Sequence, residues 1–115
     1  MNHMIKFLTK QFKTACPYQI AKKNNVIVIP ESLGNISGYY NKVNEQKFIH
    51  VNSDLSEWVQ TFIVAYQLYY ALQDIEYQFL TFNKSDHESD AFKFAIALLC
   101  YDHEIPRHDL KAIMA

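Results

Sequence analysis

Apolar residues recur along this chain with two different periods, and the changes of period divide it into segments. Ile5, Leu8 and Phe12 fall at helical spacing, while Lys6, Lys10 and Lys13 take other positions. Segment 2–12 therefore reads as a short amphipathic helix or a frayed arm. Pro17 followed by Tyr18, Ile20 and Ala21 looks like a helix with proline in its first turn, ended by Asn24 and Asn25. The period then shortens. Residues 26–29 are a β-branched run closed by Pro30, which predicts a short strand. Gly34 and Gly38 bracket a turn, residues 36–40 suit a second strand, 41–46 are turn-like, and 47–51 read as a third strand. The three predict a small antiparallel or mixed sheet.

Helical spacing returns at Ser53-Asp54-Leu55-Ser56, which offers N-caps, with Glu57 placed to complement the dipole. From 58 to about 74 one face carries Trp58, Phe62, Ala65, Tyr69 and Leu72, and Ile63, Val64, Leu68, Tyr70 and Ala71 add apolar surface on other sides. A helix apolar around most of its circumference is buried in the centre of a fold. Ser85-Asp86-His87-Glu88 has the form of a capping box, opening a helix with Ala91, Phe94, Ala95, Leu98 and Leu99 on it. Pro106 marks a break, and 109–114 suit a last helical turn. The predicted class is α+β: a sheet of about three strands packed on a central buried helix and further helices, in one domain over 1–115, with 1–14 as an N-terminal helix or arm.

Half of the 115 residues are hydrophobic, and Gly (2) and Pro (3) are scarce, which argues for a packed core and against disorder. There is no internal repeat. Eleven basic residues against twelve acidic give a net charge of -1, and Arg107 is the single arginine. Nucleic-acid readers rely on basic excess and on arginine forks, so no direct nucleic-acid binding is expected. Ile5, Phe7 and Leu8 are interrupted by Lys6, Thr9 and Lys10, so no secretory signal is read. The apolar run 58–72 is short for a membrane span. With Cys16 and Cys100 as the only cysteines, the expectation is a cytoplasmic protein with two reduced thiols and no membrane association.

An ordered set of segments resembles the ImmA/IrrE family of small zinc-metallopeptidase-like domains, common on bacterial mobile elements and prophages. Pro17-Tyr18-Gln19-Ile20-Ala21-Lys22 looks like the family's opening helix. The run 26–29, with Leu33-Gly34-Asn35-Ile36-Ser37-Gly38-Tyr39-Tyr40, is similar to its strand-and-turn segment. Lys47-Phe48-Ile49-His50-Val51-Asn52-Ser53-Asp54-Leu55-Ser56 is similar to the strand that enters the active-site helix. Asp90-Ala91-Phe92-Lys93-Phe94-Ala95-Ile96-Ala97-Leu98-Leu99 looks like its acidic-Ala helix with a closing Leu-Leu pair. The resemblance implies a zincin-like fold and a regulatory role toward repressors of mobile elements.

The departure lies at the chemical centre. Where the family carries H-E-x-x-H, this chain reads Tyr66-Gln67-Leu68-Tyr69-Tyr70, so Tyr66 and Tyr70 stand for the ligand histidines and Gln67 for the general base. Histidines four apart present two imidazoles to one zinc from one helix face, and the glutamate activates the bound water. A phenol ordinarily titrates at about pH 10, so it keeps its proton near neutral pH, and it is not a usual zinc ligand. An amide cannot act as the base. Asp90, or Glu88, falls where the resemblance implies the third, acidic ligand, and one carboxylate does not rebuild the site. The implied protein is a catalytically inactive homologue with no metal and no cofactor.

Tyr69 stands where the family has glycine and must occupy space. The helix tyrosines are accordingly expected to fill part of the former cleft, their hydroxyls finding buried partners or water. Tyr39 and Tyr40 sit in a strand, where alternation exposes one of them; with Tyr69 they are the candidate binding surface. Cys100, Asp102, His103 and His108, with His87 and Asp90, could compose a rearranged metal site, but C-x-x-H without a matching pair is a weak signal and surface roles are expected. Lys6, Lys10 and Lys13 are expected to form a solvated face. The expected partner is a protein, a repressor or other regulatory protein of a prophage. A metallopeptidase with a rearranged site and an inhibitor of a host-defence or toxin component are the alternatives.

Overall fold

A computed structural model describes residues 2–73, 78–80 and 90–102. Helix α1 (Asn2–Phe12) and helix α2 (Pro17–Lys23) lead into strands β1 (Val26–Glu31), β2 (Gly38–Val43) and β3 (Gln46–Asn52), then helix α3 (Glu57–Leu72), a short strand β4 (Gln78–Leu80) and helix α4 (Asp90–Asp102). The α+β class expected from the sequence is the one observed. The capping box at 85–88, Pro106 and the expected turn at 109–114 lie outside the described residues.

The sheet has four strands in the order β1-β3-β2-β4, one more than the sequence pattern predicts. It is mixed: β1 runs parallel to β3, and β2 runs antiparallel to both β3 and β4. β1 continues through Pro30 to Glu31. Proline is tolerated there because β1 is an edge strand among the described residues, and an edge position need not donate a second ladder bond. The stretch 41–46, expected as a turn, is mostly strand. The reversal needs only Asn44 and Glu45, both at positive φ (49° and 70°), as a tight two-residue hairpin turn requires. Asn25, at φ 58°, ends α2 in the left-handed conformation favoured just past a helix.

The register sorts the sheet's side chains into two faces. Rows Val28, Ile49, Tyr40 and Pro30, Val51, Gly38 face the helices; rows Ile27, Phe48, Asn41 and Ile29, His50, Tyr39 face the other way. Helix α3 packs on β2 and β3, with α4 against it, and α1 rests on α4. Ser56 caps α3 by accepting from the Val59 N–H. At its other end no basic residue stands in the last turn, and Lys47 of β3 donates to the Ala71 carbonyl at 2.8 Å instead. The N-terminal segment is a helix, anchored by the buried Ile5, with Leu8 and Phe12 packed on the core.

Candidate functional site

Helix α3 runs through the middle of the core, and it carries Tyr66, Gln67 and Tyr70, the residues that the resemblance aligns with H-E-x-x-H. Residues 62–68 of this helix are all buried, as its apolar circumference predicts. Tyr66 is 2% exposed, its ring 6.3 Å from Phe62 and 5.8 Å from Tyr70. Phe62 meets Phe92 of α4 edge-on at 5.5 Å. Tyr69 and Tyr70 are half-buried and T-shaped to each other at 5.5 Å, and Tyr69 also meets Phe94 at 5.8 Å. Aromatic pairs at these separations add to the stabilisation that their burial supplies. Tyr69, which replaces the resemblance's glycine, thus packs between α3 and α4.

Gln67 is completely buried and faces the sheet. Its Nε2 makes a long hydrogen bond of 3.5 Å to the Gly38 carbonyl, and its Oε1 has no partner among the described residues. β2 comes this close to α3 because Gly38 has no side chain. A Cβ there would lie 2.5 Å from Ile63 Cγ2 and 2.7 Å from the His50 carbonyl. The amide is neutral, cannot take a proton from water, and points at a backbone carbonyl rather than at open space. Two phenols and an amide are not a zinc donor set, so the residues present do not fit the metal that the resemblance implies. Asp90 is exposed in the first turn of α4, where a carboxylate complements the helix dipole. Among the described residues no group of three or more His, Cys, Asp or Glu side chains is placed to hold a metal ion. His87, His103 and His108 lie outside them. Burial pushes the Cys100 thiol up from its ordinary pKa, the direction opposite to that of a reactive thiolate.

Of the tyrosines considered as a binding surface, Tyr40 is 0% exposed and belongs to the core. Its row of the sheet faces α3, so the pair presents Tyr39 alone. Tyr39 stacks on His50 at 4.3 Å and 10°. His50 in turn reaches Glu31 Oε1 through Nδ1 at 2.9 Å and Asn41 Oδ1 through Nε2 at 3.0 Å, which ties three strands together across the open face. Burial, and secondarily the Glu31 carboxylate, push the Tyr39 phenol up, so it stays a hydrogen-bond donor to higher pH. Sequence reasoning missed this constellation, because its members are scattered over 31–50 and only the register joins them. With both ring nitrogens engaged, His50 orders the face and has no free nitrogen for proton transfer.

The fold and site define a helix-backed mixed-sheet α+β protein with a central helix buried among aromatic side chains. The chain is 30% identical over 108 residues to a protein named Uncharacterized immunity region protein 2, from Bacillus phage phi105, covering 88% of this chain and 68% of that protein. It belongs to the family of that phage protein. No family model matches the chain, and no solved structure does.

Proposed function

We propose that this protein is a catalytically inactive, zincin-like regulator of a prophage or related mobile element, acting by binding a repressor or another regulatory protein in the manner of a non-cleaving antirepressor. The observation that carries the reading is the interior of α3. Tyr66, Gln67 and Tyr70 stand where the resemblance aligns H-E-x-x-H, and the residue aligned with the base is a neutral, fully buried amide engaged with Gly38. The ImmA/IrrE-like order of segments supports the peptidase ancestry. Kinship with an immunity-region protein of a phage supports the regulatory setting. A fold retained around a vacated mechanism fits a protein that kept recognition and gave up cleavage, an argument by analogy of fold. Among the described residues no helix is long and apolar enough to cross a membrane.

The test mixes the purified protein with the repressor encoded on the same element. Co-elution on gel filtration, intact mass of the repressor and metal content are then read on one sample. The expected result is a stoichiometric complex, an uncut repressor and substoichiometric zinc. A shortened repressor would overturn the inactive reading. Absence of a complex would overturn the antirepressor reading and turn the search toward a defence or toxin component.

A further inference from the structure

Charge is unevenly distributed along the chain. The first 25 residues hold five lysines and no carboxylate, whereas the remaining 90 hold six basic and twelve acidic residues. A net charge near zero therefore conceals a basic pole. Three of those lysines, Lys6, Lys10 and Lys13, recur along α1 and just past its end at spacings of four and three, which gathers like charges on one stripe. All three are exposed. The first turn of α1 has no acidic residue to complement its dipole. The helix is held in place instead by Ile5, Leu8 and Phe12 on its opposite side.

The stripe does not lie on a convex surface. Two adjoining depressions, of about 430 and 440 Å³, run between α1 and α4 and share Lys6 and Tyr101 in their walls. Lys10, Lys13 and Thr14 line one of them, and Ala97 and Cys100 the other, so the charged side chains placed in these walls are lysines. Tyr101 is 48% exposed at the junction, an aromatic platform flanked by cations. A continuous trough with lysine on one wall and an aromatic ring midway matches an acidic polypeptide segment that carries an apolar side chain among its carboxylates. Duplex DNA is too broad a rod to enter a trough between two helices, and lysines without arginine forks make a poor base reader.

We propose that the trough between α1 and α4 is the docking site for an acidic segment of a protein partner, with Lys6, Lys10 and Lys13 meeting its carboxylates and Tyr101 its apolar residue. The proposal rests on the protein-binding reading above and names the surface and the chemistry that this reading leaves open.

The probe is a short fluorescein-labelled peptide of glutamates flanking a central phenylalanine, followed by anisotropy at low and at near-molar salt. Binding that salt abolishes is expected. K10E/K13E is expected to weaken it about tenfold or more, with Y101A weakening it to a lesser degree. Lys22→Glu, an exposed lysine of α2 outside the trough, is expected to leave binding unchanged. Lys6→Glu is the variant that separates recognition from structure: it breaks up the like-charge stripe, so it should weaken binding without lowering the melting temperature. Equal loss with Lys22→Glu, or no loss with K10E/K13E, would overturn the trough. So would lysine-dependent binding of phosphatidylserine vesicles or of duplex DNA in place of the peptide, and so would salt-sensitive self-association of the wild type that K10E/K13E abolishes. The two proposals fail separately. A repressor complex that persists in K10E/K13E removes the trough and keeps the antirepressor reading, whereas peptide binding without a repressor complex does the reverse.

Discussion

At Gln67 a single amide decides what the centre of α3 can do. Its Oε1 is buried without a partner among the described residues, and its one hydrogen bond is long. A polar atom left unsatisfied in a core costs about 1–3 kcal/mol. Gln67→Met, nearly equal in size, should therefore leave stability unchanged or raise it by about 1 kcal/mol in urea denaturation. Gln67→Glu puts an ionisable carboxyl in the same buried place and should do the opposite. Burial would raise the folded-state pKa of that carboxyl above its unfolded value of about 4.3. Below that value both states hold the proton and the variant is closest to the wild type. As pH rises past it the unfolded state alone releases the proton, so unfolding becomes easier until the folded pKa is reached. Urea midpoints that fall with pH for Gln67→Glu, against a flat difference for Gln67→Met, are the expected pattern. Gly38 is the neighbouring constraint. Gly38→Ala drives a methyl into Ile63 and the His50 carbonyl, a change expected to lower stability by about 1–3 kcal/mol. The burial of Tyr66 and Gln67 is legible because an apolar circumference marks α3 as a core helix. That Tyr40 faces inward and Tyr39 outward is decided by the register of β2 on β3, which one strand's sequence leaves open.

The elements themselves were legible where one local signal dominates. β-branched residues mark β1, Ser56 caps α3, and Pro17 opens α2. The fourth strand was not, since Gln78, Phe79 and Leu80 are too few to show a period and pair only through β2. Nor was the parallel pairing of β1 with β3, because nothing in the local pattern of either strand specifies the direction of its neighbour. The segment between β1 and β2 depends on a residue that no motif singles out. Asn52, 3% exposed at the end of β3, donates through Nδ2 to the Gly34 and Ile36 carbonyls at 3.1 Å and accepts the Asp54 N–H through Oδ1 at 3.0 Å. One side chain therefore holds the loop before β2 and the approach to α3. Asn52→Ala removes all three bonds and strands their partners, an expected loss of about 2–4 kcal/mol. Amide exchange at 33–37 and 53–55 should accelerate more than in the strands, because the loss is local before it is global.

On the scale of the whole molecule, the described helices that touch the sheet lie on one of its faces, and among the described residues the other is formed by Tyr39, His50, Phe48 and their neighbours. Ile27 is 46% and Val43 51% exposed there, and among the described residues β1 is an edge strand beside Ile27. The molecule thus has two unlike surfaces: a basic trough between α1 and α4, and a weakly polar sheet face ordered by the Glu31–His50–Asn41 bonds. Their physics separates them. Recognition through lysines is long-ranged and screened by salt, whereas apolar strand surface gains from salt and favours contact with further copies. Ile27→Lys places a charge on the open face and at the edge strand, the device by which sheet proteins resist edge-to-edge pairing. It should reduce concentration-dependent light scattering at high salt while leaving acidic-peptide binding at low salt as in the wild type. If Ile27→Lys instead abolished peptide binding as K10E/K13E should, recognition would belong to the sheet face, and the separation of roles between the two surfaces would be wrong.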